Sequence, residues 1–280
     1  MSNIIELSVV ILTKNEEENL ATALKSVNNR VKDIFVLDSF STDNTCEIAK
    51  EHSVKLFSNK FKSFGDQRRY AINSLPIETD WVLFLDADEI VPNEFLEEVK
   101  DLITESKYVA YECKYKFIFL KKWIKHGGYY GTRITRLFRK DKVVISRSMN
   151  EHIKANGQVG QMKNDIIHED KKGFDSWINK HLLYADYEAS ELIVKQKDNY
   201  ENLFGSQGQR KRWIRNNIWN KLLPPLIRPF FYFFYRVIIK FGFLDGIRGF
   251  IFHFLHALWY PFLIDAKYLI KKLGWDNVRD

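Results

Sequence analysis

Apolar runs alternate with helical patterns through roughly the first hundred residues of this chain. Short runs rich in Val, Ile, Leu and Phe predict four buried parallel strands, at residues 7–12, 33–37, 54–57 and 81–85. Helical patterns follow at residues 16–27, 43–51 and 65–75, with one more helix after Pro92. Strands that alternate with helices at this spacing predict a doubly wound α/β sheet.

After these elements the pattern becomes less regular. Residues 108–120 alternate as a strand does, and residues 134–139 and 143–146 suggest the two strands of a hairpin. Residues 174–197 predict one long helix. This stretch therefore predicts a mixture of strands and one helix rather than further regular strand–helix repeats.

The composition fits a globular chain, with 45% apolar and 28% charged residues among 280. Cys46 and Cys113 lie far apart, so we expect no disulfide framework and a reducing compartment. The first apolar run is too short for a secretory signal and continues into charged residues. The uncharged run Gly249–Ile264 is shorter than the roughly 20 apolar residues of a typical spanning helix.

Three of the four predicted strands end in polar residues, namely Thr13, Asn15 and Glu16 after the first, Asp38 after the second, and Asp86 and Asp88 after the fourth. In an open α/β sheet, ligands bind beyond the carboxyl ends of the strands. Residues i and i+2 face the same way in extended backbone, and two close carboxylates need a shared cation or proton. Because a divalent ion binds oxygen ligands and bridges to phosphate, Asp86 and Asp88 favour a metal–diphosphate site. The alternative is a solvated acidic turn that caps the next helix.

Three segments follow one another in the order VVILTKNEEENLATALKSV, VLDSFSTDNT and FLDADE. Together they resemble the signatures of family-two glycosyltransferases, and this resemblance implies a GT-A fold with a Rossmann-like mixed sheet. The chain further resembles the subgroup that includes lipopolysaccharide-core β-glucosyltransferases, in FGDQRRYAIN, RITRLFR, NEHIKANGQVG, IIHE and FGFLDGIRG. The resemblance implies an inverting hexosyltransferase that moves a sugar from a nucleotide donor, UDP-hexose, to a lipid-linked glycan such as lipopolysaccharide core or another cell-surface polysaccharide precursor.

The resemblance also implies roles for the residues at the strand ends. Thr13, Asn15 and Glu16 would line the nucleotide pocket, and Asp38 would hold the uracil or the ribose. Asp86 would bind the ribose side of the donor, and Asp88 would bind Mg²⁺ or Mn²⁺ at the diphosphate.

An inverting transfer needs a base for the acceptor hydroxyl, and the resemblance points to Glu151. Related sequences often have a histidine before this glutamate, where this chain has Asn150. His152 is the competing base, since its unperturbed pKa is near 6.5. His168 could approach the metal or the diphosphate. Three arginines, Arg133, Arg136 and Arg139, are candidates for phosphate contacts.

The C-terminal part combines basic and aromatic residues. Residues 202–244 hold eight Lys or Arg and no Asp or Glu. The predicted membrane contact is Arg210, Lys211, Arg212, Trp213 and Arg215. The alternatives are packing on the catalytic domain and a homodimer interface, whereas a nucleic-acid partner is not expected because no recognition motif accompanies the charge. We therefore expect a cytoplasmic protein, peripheral on the inner face of the cell membrane.

We expect a GT-A catalytic domain over residues 1–200, with a nucleotide-sugar-binding half (1–105) and an acceptor half (106–200). Residues 201–280 would form a helical, aromatic-rich extension that associates with the membrane. Transfer to polyprenyl phosphate and a non-catalytic membrane scaffold are the alternative functions. Nucleotidyl transfer is disfavoured because TKNEEENL is neither glycine-rich nor basic.

Overall fold

The structure is a computed structural model that describes residues 4–104, 107–146, 152–194 and 222–275. The chain forms two compact units, one of Met1–Phe117 with Arg133–Lys171 and one of Ile118–Thr132 with Lys172–Asp280. The domain boundary proposed near residue 200 lies outside the described residues.

Within the described residues, strands and four helices build the first unit. The strands in these ranges are β1 (Ile5–Thr13), β2 (Val31–Asp38), β3 (Lys55–Ser58), β4 (Trp81–Asp86), β5 (Glu89–Ile90), β6 (Ala110–Phe119), β7 (Lys122–Trp123), β8 (Arg133–Arg139), β9 (Val143–Ser146), β10 (His152–Ala155) and β11 (Val159–His168). Of these, β7 belongs to the second unit. The helices of this unit are α1 (Leu20–Val27), α2 (Thr45–Glu51), α3 (Phe64–Ser74) and α4 (Asn93–Thr104). The four predicted strands and four predicted helices of the N-terminal part are confirmed.

The main sheet is mixed, in the order β3-β2-β1-β4-β8-β6-β11-β5. Its first four strands are parallel, and β8 pairs antiparallel with β4 and with β6. Successive residues of β1 point to opposite faces, so Val9 packs in one core cluster and Val10 in the other. Strands buried on both faces must be apolar throughout, which explains their continuous runs.

The hairpin predicted from residues 134–139 and 143–146 is wrong. β8 joins the main sheet, whereas β9 pairs with β10 in a separate two-stranded ribbon. A 3₁₀ turn at Lys140–Lys142 separates the two strands instead of reversing them into a pair. The ribbon packs through Ile145 and Ile153 into the core that contains Phe138. The burial of Ile145 and Ile153 therefore determines which strand β9 pairs with, and the short connection between β8 and β9 does not.

The second unit contains four helices in the described residues: α5 (Gly173–Val194), α6 (Arg228–Phe234), α7 (Gly246–His253) and α8 (Tyr260–Lys272). π-helical turns at Tyr235–Ile239 and Phe254–Trp259 extend α6 and α7. The long helix predicted at 174–197 corresponds to α5. By length and composition alone, Gly242–Lys272 is long and apolar enough to cross a membrane, and it is the one such helix in the described ranges.

Buried polar groups fix the short segment 118–132 within the second unit. Asp245, which is 3% exposed, accepts hydrogen bonds from the backbone N–H of His126 at 2.9 Å, and it lies 2.7 Å from the ring Nδ1 of His126. Arg236 is equally buried and donates from Nε to the carbonyl of Gly127 at 2.8 Å. A Cβ at Gly127 would meet the ring of His253. The chain therefore requires glycine at this contact.

Acid should destabilise the second unit through His253. Burial and then the neighbouring Arg236 charge lower the pKa of this fully buried histidine to about 4, although Asp245 opposes the shift. The unfolded histidine titrates near 6.5, so protons bind the unfolded chain more tightly. The stability that His253 contributes to the folded state is complete above about pH 6.5 and is lost as the pH falls toward 4.

We expect His253→Gln to reduce the slope of unfolding free energy against pH by about 1.4 kcal/mol per pH unit between these values. Urea unfolding followed by tryptophan fluorescence measures that slope. His52→Gln, at the residue that follows α2 in the other unit, is the matched control. Equal slopes in the wild type and in His253→Gln would show that His253 is not held neutral.

Candidate active site

The carboxyl ends of three neighbouring strands lie side by side in the first unit. β1 lies between β2 and β4, with Thr13 opposite Asp38 and Leu12 opposite Asp86. The polar residues predicted from the strand ends therefore converge on one edge of the sheet, where an α/β sheet binds its ligands.

Asp38 is held from two sides at the end of β2. Its carboxylate accepts hydrogen bonds from Thr13 Oγ1 at 2.9 Å, from Ser41 N at 2.7 Å and from Ser41 Oγ at 2.5 Å. The residue is 1% exposed. Three donors occupy most of the acceptor positions of the carboxylate, so its orientation is fixed.

The loop after β1 is joined to the loop after β2. Asn15 has a positive φ of 54°, which asparagine tolerates better than most residues. Its N–H donates to Ser41 Oγ at 2.8 Å, and its Oδ1 accepts from Thr42 N at 2.9 Å. The N–H of Glu16 donates to Thr45 Oγ1 at 2.8 Å. α1 begins at Leu20, four residues after the predicted start at residue 16.

Asp86 lies between two buried arginines. Arg68 Nη2 donates to its Oδ1 at 2.8 Å, and Arg136 Nη2 donates to its Oδ2 at 2.5 Å. Burial alone would raise the pKa of Asp86, but the charges of Arg136 and Arg68 outweigh it and hold the pKa well below its usual range. Asp86 is therefore ionised at any physiological pH.

Glu89 completes this network from inside the protein. Arg136 Nη2 also donates to Glu89 Oε1 at 2.5 Å, and the N–H of Asp86 donates to Glu89 Oε2 at 2.9 Å. Both Arg136 and Glu89 are buried. Burial alone would lower the pKa of Arg136, yet the two carboxylates raise it above its usual value. The network fixes the turn that carries Asp88.

The other two candidate arginines have different surroundings. Arg133 Nη1 donates to the carbonyl of Met162 at 3.1 Å, and the guanidinium of Arg139 lies 5.3 Å from the ring centre of Trp81. Of the three, Arg136 is the one whose described contacts include a strand-end carboxylate.

Asp88 and His168 come together through strand pairing. β5 pairs antiparallel with β11, with His168 opposite Glu89. His168 Nε2 lies 3.5 Å from Asp88 Oδ2, and the N–H of Glu169 donates to the Asp88 carbonyl at 2.8 Å. The imidazole stacks on Phe117 at 5.2 Å between ring centres. The carboxylate oxygen of Asp88 and the imidazole nitrogen of His168 thus lie next to each other beside the strand ends.

This donor pair fits a divalent cation that takes its remaining ligands from substrate. A carboxylate suits Mg²⁺ and Mn²⁺, and Mg²⁺ usually keeps several waters as well. No group of three or more His, Cys, Asp or Glu that could hold a metal occurs within the described part of the chain. Asp88 and His168 would therefore hold a metal together with diphosphate oxygens rather than in a complete protein cage.

Two residues of the site were not predicted as site residues from the sequence. Arg68 and Glu89 belong to FGDQRRYAIN and FLDADE, two of the segments that carry the family resemblance. Their place in these segments is the signal from which they could have been predicted as site residues. Glu151 lies outside the described residues, as do Arg210, Lys211, Arg212, Trp213 and Arg215.

Comparisons with known proteins identify the family. Residues 8–155, more than half of the chain, match the family described as glycosyl transferase family 2. The chain belongs to this family. It is similar to an uncharacterised glycosyltransferase of Rickettsia prowazekii, with 26% identity over 255 residues that cover 86% of this chain and 82% of the relative. The chain is therefore a glycosyltransferase.

One solved structure that spans nearly the whole chain supports the GT-A fold. The mannosyltransferase PcManGT of Pyrobaculum calidifontis, solved with GDP-Man and Mn²⁺, has a TM-score of 0.52 at 12% identity and covers 99% of this chain and 89% of its own. A glucosyl-3-phosphoglycerate synthase of Mycobacterium tuberculosis, solved with Mn²⁺, UDP and glucosyl-3-phosphoglycerate, matches 39% of this chain and 43% of its own, with 23% identity and a TM-score of 0.35. The predicted GT-A fold with its mixed sheet is confirmed.

Proposed function

We propose that this glycosyltransferase transfers a hexose, with inversion, from UDP-hexose to a lipid-linked glycan such as lipopolysaccharide core or another cell-surface polysaccharide precursor. The observation that supports a nucleotide-sugar donor is the convergence of Asp38, Asp86 and Asp88 at adjacent strand ends. Asp38 would bind the base or the ribose, and Thr13, Asn15 and Glu16 would shape the nucleotide pocket.

The proposed cofactor is Mg²⁺ or Mn²⁺, held by Asp88 and His168. When bound, such an ion neutralises charge on the departing nucleoside diphosphate. Asp86, which the two arginines keep ionised, would orient the ribose side of the donor. Its fixed position limits the reorganisation needed when the donor binds.

The chemical step that we propose forms a bond from the acceptor oxygen to the anomeric carbon. The bond from that carbon to the diphosphate breaks on the opposite face, which inverts the configuration. The acceptor hydroxyl loses its proton to Glu151 as it attacks. His152, the first residue of β10, is the alternative base.

The proposed acceptor is presented at a membrane, and we propose that the chain acts on the cytoplasmic face of that membrane. Support comes from the basic and aromatic sequence of the C-terminal region, where Arg210, Lys211, Arg212, Trp213 and Arg215 would contact anionic headgroups. Polyprenyl phosphate is the alternative acceptor, since the same surface would serve it.

Replacing Asp88 tests the donor site. Asp88→Ala should lose the Mn²⁺-dependent binding of UDP, because the remaining imidazole of His168 holds a divalent ion poorly by itself. Titration calorimetry with UDP, with and without Mn²⁺, measures this, and hydrolysis of a panel of UDP-sugars identifies the donor. Asp101→Ala, an exposed acid on α4, is the matched control. UDP binding that needs neither metal nor Asp88 would refute the proposed metal site, and no binding of any nucleotide would favour a non-catalytic scaffold.

A further inference from the structure

The described C-terminal segment folds back on itself as a helical hairpin. α6 with its π-helical turn is one arm, and α7 with the turn after it is the other. Phe233 in the first arm lies 5.8 Å from Phe250 and 6.1 Å from Phe254 in the second, between ring centres. Arg228 Nε donates to Asp265 Oδ2 at 2.8 Å and closes the base of the hairpin. Residues 238–247, where the chain reverses, are called the apolar tip below.

Several large apolar side chains of the apolar tip are exposed to solvent. The exposed ones are Ile238, Ile239, Phe241, Phe243, Leu244 and Ile247. Ile247 is 73% exposed. Single exposed hydrophobic residues are common on proteins, but a contiguous cluster indicates a surface that contacts a partner or a membrane.

Phe241 shows that this exposure has a conformational cost. Its φ is +57°, in the left-handed region that bulky residues avoid at a cost of about 1–2 kcal/mol. Its side chain is 58% exposed, so packing inside the protein does little to offset that strain. Glycine would adopt this conformation freely. A phenylalanine in this position is therefore best explained by a contact outside the chain.

The charges around the apolar tip are of one sign. Residues 222–275 contain two acids, Asp245 and Asp265, and both are buried. Asp245 lies within hydrogen-bond reach of the ring nitrogen Nδ1 of His126. Lys240 and Arg248, in contrast, are exposed beside the apolar residues. The surface thus presents apolar groups and cations, which complements an anionic bilayer.

We propose that the apolar tip docks into the headgroup region of an anionic bilayer, with Phe241, Leu244 and Ile247 inserted and Lys240 and Arg248 at the phosphates. This inference rests on the membrane partner of the proposed function and refines it. It places the insertion in the described hairpin, separate from the basic residues 210–215.

Polar contacts of α8 argue that the helix lies outside the hydrocarbon rather than spanning it. Lys267 Nζ forms an ion pair with Asp186 on α5 at 2.7 Å, and Tyr260 donates to Glu188 Oε1 at 3.0 Å. A spanning Gly242–Lys272 would have to bring these charged partners into the membrane or break the contacts. Either is costly in hydrocarbon.

Vesicle co-sedimentation of the full chain tests the proposal, with phosphatidylcholine vesicles that contain or lack phosphatidylglycerol. Leu244→Ser with Ile247→Ser should weaken binding about tenfold or more, since two inserted side chains are lost. Lys240→Gln and Arg248→Gln should each weaken binding about fivefold, and only to anionic vesicles. Phe241→Gly should weaken binding without lowering thermal stability, which separates docking from folding.

The matched control is Leu183→Ser with Ile193→Ser, two exposed positions on α5. Vesicle binding that the tip variants leave unchanged, or that depends on residues 210–215 alone, would overturn the proposal. The proposal would also fail if the wild-type protein were a dimer and the tip variants made it a monomer without changing vesicle binding. Resistance to alkaline carbonate extraction would show a spanning helix instead. UDP binding by the tip variants, measured without vesicles, reports separately on the donor site.

Discussion

Replacing Arg136 by methionine should lower the free energy of unfolding by about 3–5 kcal/mol. The guanidinium is 6% exposed and bridges Asp86 and Glu89. Methionine fills much of the same volume but leaves the Glu89 carboxylate, 1% exposed, without its cation. An uncompensated buried charge is far more costly than the loss of an exposed ion pair. Urea unfolding of the purified variant measures the change.

Two further variants show whether the charge is the cause. Arg136→Met with Glu89→Gln removes the stranded charge, so it should recover part of the lost stability. Arg139→Met, on the same strand, should cost about 1 kcal/mol or less, because that guanidinium is partly exposed over Trp81. An Arg136→Met chain as stable as the wild type would contradict the expected cost of leaving the Glu89 carboxylate without its cation.

The same network links the stability of the fold to the proposed donor site. Asp86 needs its cations to remain ionised beside Asp88, and Arg136 needs Glu89 to offset its own burial. Arg136→Met should therefore also weaken UDP binding, since the turn between Asp86 and Asp88 loses its anchor. Folding and the proposed donor binding would thus depend on the same guanidinium.

The strands of the N-terminal part could be predicted because each is a continuous apolar run. β1 and β4 are buried on both faces, so their hydrophobic pattern alone identifies them. β8 and β9 also resemble strands, and their existence was predicted correctly. Their pairing was not, because antiparallel partners are chosen by distant burial. β8 pairs with β4 and β6, which lie earlier in the chain.

The candidate site, like the fold, could be predicted from the sequence only in part. Strand ends located Asp38, Asp86 and Asp88, since parallel strands bring their carboxyl ends to one edge. The contact of Arg136 with Asp86 was not predictable, because the two residues lie 50 positions apart in the sequence. The sequence did place His168 among the candidates for the metal that Asp88 would hold. His168 meets Asp88 only because the short strand β5 pairs with the end of β11. No local pattern contains that pairing.

Glu151→Gln should reduce kcat by about 10²–10⁴-fold while the binding of UDP and metal stays the same. Glutamine keeps the size and polarity of the side chain but cannot accept the proton of the acceptor hydroxyl. The loss should therefore appear in turnover and leave donor affinity unchanged. Single-turnover transfer to the acceptor, beside calorimetric titration of UDP, measures the two quantities on the same sample.

His152→Gln distinguishes the two candidate bases. If Glu151 accepts the proton, His152→Gln should keep most of the turnover, and the acidic limb of the pH–rate profile should disappear in Glu151→Gln only. A profile that loses a limb near pH 6.5 in His152→Gln, with Glu151→Gln close to normal, would assign the base to the histidine. Because either residue would take the proton from the same hydroxyl, that result would move the base by one position and leave the donor site unchanged.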